Sequence, residues 1–113
     1  MNVKSELLAK AESLVTGPRA NAYGSSAINH LRIADLWNVW IANRAVSGPI
    51  SAYDAAMMMA LVKFARCQHR PATDSHTDIA GYAAVAEDIY QTLIDIEKED
   101  DNGGKEEPTM EDG

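Results

Sequence analysis

The chain has little cysteine, few aromatic residues and no long apolar run. Its 113 residues include one cysteine, Cys67, which excludes an intrachain disulfide and is typical of a reducing compartment. The aromatic share is 6% against 46% apolar residues, so the core has to consist mostly of aliphatic side chains. The longest apolar run covers eight residues, 55–62, and the first residues form a charged segment without a signal-peptide core. We therefore expect a soluble protein of the cytoplasm with no membrane contact.

Acidic residues outnumber basic ones, and most of the excess lies near one end. The net charge is −7, with 17 Asp and Glu against 10 Lys and Arg. From Glu99 onward there are seven acids and one lysine, so the preceding 98 residues carry only −1. Such a segment buries too little apolar surface to offset its ordering entropy. We expect a helical domain over residues 1–98 and a disordered acidic tail over 99–113, which acts as a solubilising or an interaction segment. No direct DNA binding is expected.

Apolar residues recur at helical spacing in four segments, and no segment alternates as a strand does. The predicted helices are 4–16, 25–45, 51–69 and 73–98. Ser51 with Asp54 three residues later forms a capping-box pattern, and Thr73, Asp74 or Ser75 can each cap the last helix. Gly and Pro residues separate the segments. The predicted fold is an all-α, compact bundle of about four helices.

The third and fourth helices each carry a row of polar residues. The rows are Lys63, Arg66 and Arg70 on one helix, and Asp74, Asp78 and Tyr82 on the other. An antiparallel hairpin with its loop centred near 72–73 places Lys63 level with Tyr82 and Arg66 level with Ile79. Two interpretations follow. The seam is a structural ion-pair network, or Lys63 and Arg66 bind an anionic group such as a phosphate while Asp78 orients a cation or holds the Arg fork.

Polar residues of the first half can join this site. Tyr23 and Gly24 precede the second helix, where free backbone N–H groups favour anions. Asn29 and Arg32 lie three residues apart on that helix, and Asp35 is placed to pair with Arg32. Each of these is equally compatible with an ordinary surface residue.

Several separated motifs occur in an order that resembles a small helical domain of unknown function from tailed phages and prophages. They are Arg19, Tyr23-Gly24, Asn29, Arg32-Ile33-Ala34, Leu36-Trp37, Lys63-Phe64-Ala65-Arg66, Asp74 and Asp78-Ile79-Ala80-Gly81-Tyr82-Ala83. The resemblance covers about residues 5 to 90. Over its second half the chain also looks like the nucleotide-modification-associated domains, which are loosely grouped with the all-α MazG-type nucleotide pyrophosphohydrolases. This resemblance implies a phage-encoded protein whose ligand is a nucleotide.

MazG-type enzymes, as the resemblance implies, hold magnesium with Glu-Glu-x-x-Glu and Glu-x-x-Asp clusters on successive helices. The second and third helices here supply only Asp35 and Asp54. Asp74 and Asp78 lie one turn apart and are the candidate metal ligands, for Mg²⁺ if the protein is an enzyme. Because these carboxylates are too few for a two-metal hydrolase, catalysis is not the favoured prediction.

Three functions remain open from the sequence. The first is binding or sequestration of a nucleotide or nucleotide-derived signal by Lys63, Arg66, Asp78, Tyr82, Tyr23, Gly24, Asn29 and Arg32. The second is metal-dependent nucleotide pyrophosphohydrolysis. The third is inhibition of a host protein through the acidic tail or an exposed helix face. A homodimer is a further possibility, because Trp37 and Trp40 lie on a broadly apolar helix, although a place in the core is the favoured interpretation of both side chains.

Overall fold

The computed structural model describes residues 2–17 and 24–103, which are helical apart from short connections. The helices are α1 (Val3–Thr16), α2 (Ser26–Asn43), α3 (Ala52–His69) and α4 (Thr73–Gly103). No strand occurs in these two ranges. The predicted all-α fold of four helices is therefore confirmed. None of the described helices has the length and apolarity that crossing a bilayer requires.

The first three helices begin where side chains satisfy their free N–H groups. The Asn2 side chain accepts a hydrogen bond from the Ser5 N–H at 2.9 Å, and Ser25 Oγ accepts one from the Ile28 N–H at 3.4 Å. At α3 both halves of the predicted capping box between Ser51 and Asp54 are present. The second helix ends at Asn43, two residues before its predicted end.

The fourth helix differs from its prediction at both ends. The Ala72 carbonyl accepts a hydrogen bond from the His76 N–H at 3.1 Å, so residues 73–75 form the first turn and are not caps. At its other end α4 continues five residues beyond Lys98, because neither glycine nor proline occurs between Lys98 and Gly103. Residues 99–103, predicted as part of the disordered tail, are therefore helical. Residues 104–113 of that tail lie outside the described part of the chain.

The third helix lies between α2 and α4 and packs antiparallel against both. Within the described ranges, no Cα atom of α2 lies within 8 Å of one in α4. The Cα atoms of α1 likewise lie farther than 8 Å from those of every other described helix. Four of the six buried apolar residues are alanines, of which Ala65 is fully buried. Small side chains of this kind allow the helix axes to approach closely.

Both tryptophans of α2 face α3. The indole N–H of Trp37 donates to the Met58 carbonyl at 2.8 Å, and that of Trp40 donates to Asp54 Oδ1 at 3.0 Å. Both side chains are half-buried. Their partly buried hydrogen bonds to α3 agree with the core interpretation of these residues, and they fix the register of α2 on α3.

Candidate functional site

One ion pair joins the two polar rows of the α3–α4 hairpin. Lys63 Nζ lies 3.2 Å from Asp78 Oδ2. The lysine side chain is 15% exposed and the aspartate side chain 49% exposed. Because the carboxylate is half in solvent, this pair contributes little to stability. The pair does place the Lys63 side chain, which is mostly buried, beside a carboxylate that solvent can reach.

The register of the hairpin differs from its prediction by about one helical turn. Lys63 lies opposite Asp78 and not Tyr82, and the rings of Tyr53 and Tyr90 follow the same register with centroids 6.4 Å apart. The cause is the turn: α3 ends at His69 and α4 begins at Thr73, which centres the loop on residue 71.

The corrected register also changes which residue of α4 lies level with Arg66. Arg66 lies three residues after Lys63 on α3, and Ser75 lies three residues before Asp78 on α4. In the antiparallel hairpin these two residues are therefore level, whereas the sequence predicted that Arg66 lies level with Ile79. Ser75 is only 4% exposed, and Arg66 Nε is also buried. A polar layer therefore crosses the interior at this level of the hairpin.

The second helix brings an asparagine to the same layer. Trp37 of α2 contacts Met58 of α3. Because the two helices are antiparallel, Asn29, eight residues before Trp37, lies level with Arg66, eight residues after Met58. Asn29 is 6% exposed, and its Oδ1 has no hydrogen-bond partner among the described residues. A buried acceptor without a donor is costly, which makes this atom a candidate contact for a bound group.

Gly24, just before α2, lies close to the end of α3. Gly24 has φ +77°, and a Cβ placed there would lie 2.9 Å from Cε1 of His69 at the end of α3. The start of α2, the end of α3 and the start of α4 therefore converge. We call this region the polar end; it consists of Asn29, Lys63, Arg66, Ser75 and Asp78.

The remaining predicted site residues surround the polar end unequally. Arg32 is half-buried one turn beyond Asn29, and it forms no ion pair with Asp35 within 4.0 Å, so that predicted pair is wrong. Tyr82 is half-buried one turn beyond Asp78, and Asp74 is exposed in the first turn of α4. Tyr23 lies outside the described residues.

A metal at this end has few carboxylates available. Across 2–17 and 24–103 there is no group of three or more His, Cys, Asp and Glu residues that could hold a metal ion. Asp78, one of the two predicted ligands, is the partner of Lys63. The assignment of Asp74 and Asp78 to Mg²⁺ stays a prediction.

A second polar cluster, which sequence reasoning missed, lies at the opposite end of α3. Asp54 Oδ2 accepts hydrogen bonds from Arg44 Nη1 at 2.7 Å and from the Ser51 N–H at 3.0 Å, and Oδ1 accepts from Trp40. The Ser51 N–H and then the Trp40 indole lower the pKa of the Asp54 carboxyl from 3.8 to about 2, against the opposing effect of burial.

The Asp54 cluster holds the connection between α2 and α3 closed. Arg44 also donates to the carbonyls of Gly48 and Pro49, so one guanidinium ties the turn to the start of α3. The available signal was an arginine three residues before the Ser47-Gly48-Pro49 turn and, after that turn, a capping aspartate with further acceptor capacity. Because the carboxylate already accepts hydrogen bonds from Trp40, Arg44 and Ser51, its geometry is that of a structural clamp.

The fold and its polar end define a small helical domain, and comparison with known proteins gives its family. The chain belongs to the family described as Domain of unknown function (DUF6378), whose model matches residues 6–90. That range includes the whole polar end. The predicted resemblance to a helical phage domain of unknown function is therefore confirmed.

Two phage proteins are similar to this chain. It is 42% identical over 82 residues to the Gene 55 protein of Mycobacterium phage L5, which covers 72% of this chain and 50% of that protein. It is 34% identical over 99 residues to the Gene 55 protein of Mycobacterium phage D29, which covers 84% of this chain and 60% of that protein. The chain thus spans 50 to 60% of the length of these curated relatives. No solved structure matches it.

Proposed function

We propose that this phage protein binds a nucleotide or a nucleotide-derived signal at the polar end and sequesters it in the cytoplasm of the host cell. The observation that carries the proposal is the buried Asn29 Oδ1, which has no partner among the described residues and lies level with Arg66. A buried acceptor at the level of Arg66 suits a ligand that is anionic at one point and a hydrogen-bond donor at another. A nucleotide has both, in its phosphates and in its sugar hydroxyls or base N–H groups.

The cations of the polar end suit the phosphate part. The Lys63 side chain is only 15% exposed, so its attraction for an anion is screened less than that of a fully exposed lysine. Its present partner, Asp78, is half-exposed and can yield to a phosphate oxygen or remain to orient a bound cation. The planar guanidinium of Arg66 adds a group that binds phosphate at two points.

The choice of a nucleotide over a simple anion has two supports. Tyr82 lies half-buried one turn beyond Asp78 and presents a ring on which a base can stack. The second support is the resemblance of the Lys63-to-Ala83 motifs to nucleotide-modification-associated domains. Sequestration requires binding alone and therefore needs no catalytic carboxylates.

A thermal-shift screen of the full chain tests the proposal. Nucleoside mono-, di- and triphosphates and cyclic oligonucleotides are added with Mg²⁺, and the melting temperature is recorded. A ligand at 100 times its Kd stabilises the folded state by about 2.7 kcal/mol. For a domain of this size that raises the melting temperature by on the order of 10 °C.

Three variants show whether the shift arises at the polar end. Lys63→Ala and Asn29→Leu should abolish most of it, whereas Lys98→Ala, which removes the same charge from the far part of α4, should leave it intact. No shift with any nucleotide, or a shift that Lys63→Ala leaves unchanged, contradicts the proposal in favour of a structural ion pair. Pyrophosphate release that Asp78→Asn abolishes would replace sequestration by the pyrophosphohydrolase alternative.

A further inference from the structure

The first helix has an apolar face that nothing in the described chain covers. Its large apolar side chains are between 53% and 69% exposed at Leu7, Leu8, Leu14 and Val15. No residue of α1 is buried, and no other described helix approaches it within 8 Å between Cα atoms. An isolated helix of 14 residues is marginal in water, so this face requires a partner surface to be stable.

The second helix has an uncovered apolar stripe on the side away from α3. Ile28, Leu31 and Val39 follow helical spacing and are 46%, 60% and 61% exposed. The opposite side of the same helix holds the buried Ile33 and the two tryptophans that bond to α3. The stripe is therefore a second surface of α2, separate from its contact with α3.

Each of the two surfaces has a charged residue about half-way along its helix, at the edge of the apolar face on α1 and within the stripe on α2, and the charges are opposite. Lys10 lies between Leu7 and Leu14 on α1, and Asp35 lies between Leu31 and Val39 on α2. Neither forms an ion pair within 4.0 Å among the described residues. Placing the middle of one helix over the middle of the other brings Lys10 to Asp35 and apolar side chains together on both sides.

We propose that the occupant of each surface is a second copy of this chain, with α1 of one copy packed on the outer stripe of α2 of its partner. The pairing is reciprocal, so a two-fold axis covers both surfaces of both copies and closes the assembly. The seven apolar side chains offer on the order of 500 Å² per copy and about 1,000 Å² for two copies, the size a specific interface has to reach.

The test is the mass of the full chain in solution, measured by light scattering during gel filtration. The expected result is twice the chain mass. Leu31→Glu should yield a monomer, while Val46→Glu, at a 73%-exposed position outside both surfaces, should leave the dimer intact. Circular dichroism checks that the variants remain folded. Val46→Glu should keep the helix content of wild type, and Leu31→Glu should lose at most the contribution of α1, which has no partner surface in the monomer.

Charge reversal tests the orientation of the pairing. Lys10→Asp and Asp35→Lys should each weaken the dimer about fivefold, and the double variant should restore it. A monomeric wild type, including one in which α1 folds back on its own α2, overturns the proposal. A dimer that Leu31→Glu leaves intact, or singles that the double variant fails to rescue, overturns it as well.

Discussion

Trp37 provides the most direct test of how α2 is held on α3. Its indole N–H donates to the Met58 carbonyl at 2.8 Å across the helix interface. In Trp37→Phe the ring remains largely apolar and aromatic, while the donor is lost. Because Met58 lies inside α3, its carbonyl still accepts the helical hydrogen bond from the N–H four residues later and is not left without a partner. The expected loss is that of one net hydrogen bond, about 1 kcal/mol of unfolding free energy.

Trp37→Ala removes the ring as well and leaves a cavity beside a core made largely of alanines. Large-to-small changes of this kind cost about 3–5 kcal/mol, and the half-exposed position of Trp37 favours the lower end of that range. Urea denaturation followed by circular dichroism measures both variants, with Val46→Ala as a surface control expected within about 0.5 kcal/mol of wild type.

The result that would refute this reasoning is a Phe variant as unstable as the Ala variant, or an Ala variant as stable as the control. The first outcome would mean that the hydrogen bond dominates the contact, and the second that α2 does not pack on α3 through Trp37. Trp37 lies two helical turns from Asn29, so Trp37→Phe should also leave any nucleotide-induced thermal shift unchanged.

Two further predictions concern Asp54 and Gly24. The pKa of the Asp54 carboxyl is lowered to about 2 in the folded state, below its ordinary 3.8, so its stabilising contribution is complete above about pH 4 and is lost as the pH falls through 2. Asp54→Asn should therefore lower the melting temperature at pH 7, and its difference from wild type should shrink between pH 4 and pH 2; a constant difference over that range would contradict the clamp. Gly24→Ala should cost about 1 kcal/mol or more because of its φ of +77° and the contact with His69, and adding His69→Ala should relieve the contact without removing the backbone strain. Urea denaturation of the single and double variants measures their free energies of unfolding. A Gly24→Ala variant as stable as wild type would contradict the positive φ of residue 24 and its contact with His69.

The helices and their starts were predictable because local spacing and capping decide them. Ser51 and Asp54 form the capping box that their spacing indicated. The pairing of a basic with an acidic row also followed from spacing, and Lys63 with Asp78 confirms it. These features depend on residues within one or two turns of each other.

The register and the Asp54 cluster were not predictable in the same way. Whether Asp78 or Tyr82 faces Lys63 depends on how many residues the turn before α4 uses, and Thr73 could equally have been a cap or a first helical residue. The ties of Arg44 to Asp54 require two segments to meet in space. The burial of Asn29 likewise follows from the way α2 lies on α3.

The central claim is that the polar end binds a nucleotide, and calorimetric titration of the full chain with the nucleotide that gives the largest thermal shift tests it most directly. Wild type and Lys98→Ala should bind it with the same Kd, and Lys63→Ala should weaken binding at least about tenfold, the loss of one charge-assisted contact of about 1.4 kcal/mol. Equal binding by wild type and Lys63→Ala would contradict the account, as would the absence of heat with every nucleotide in the panel.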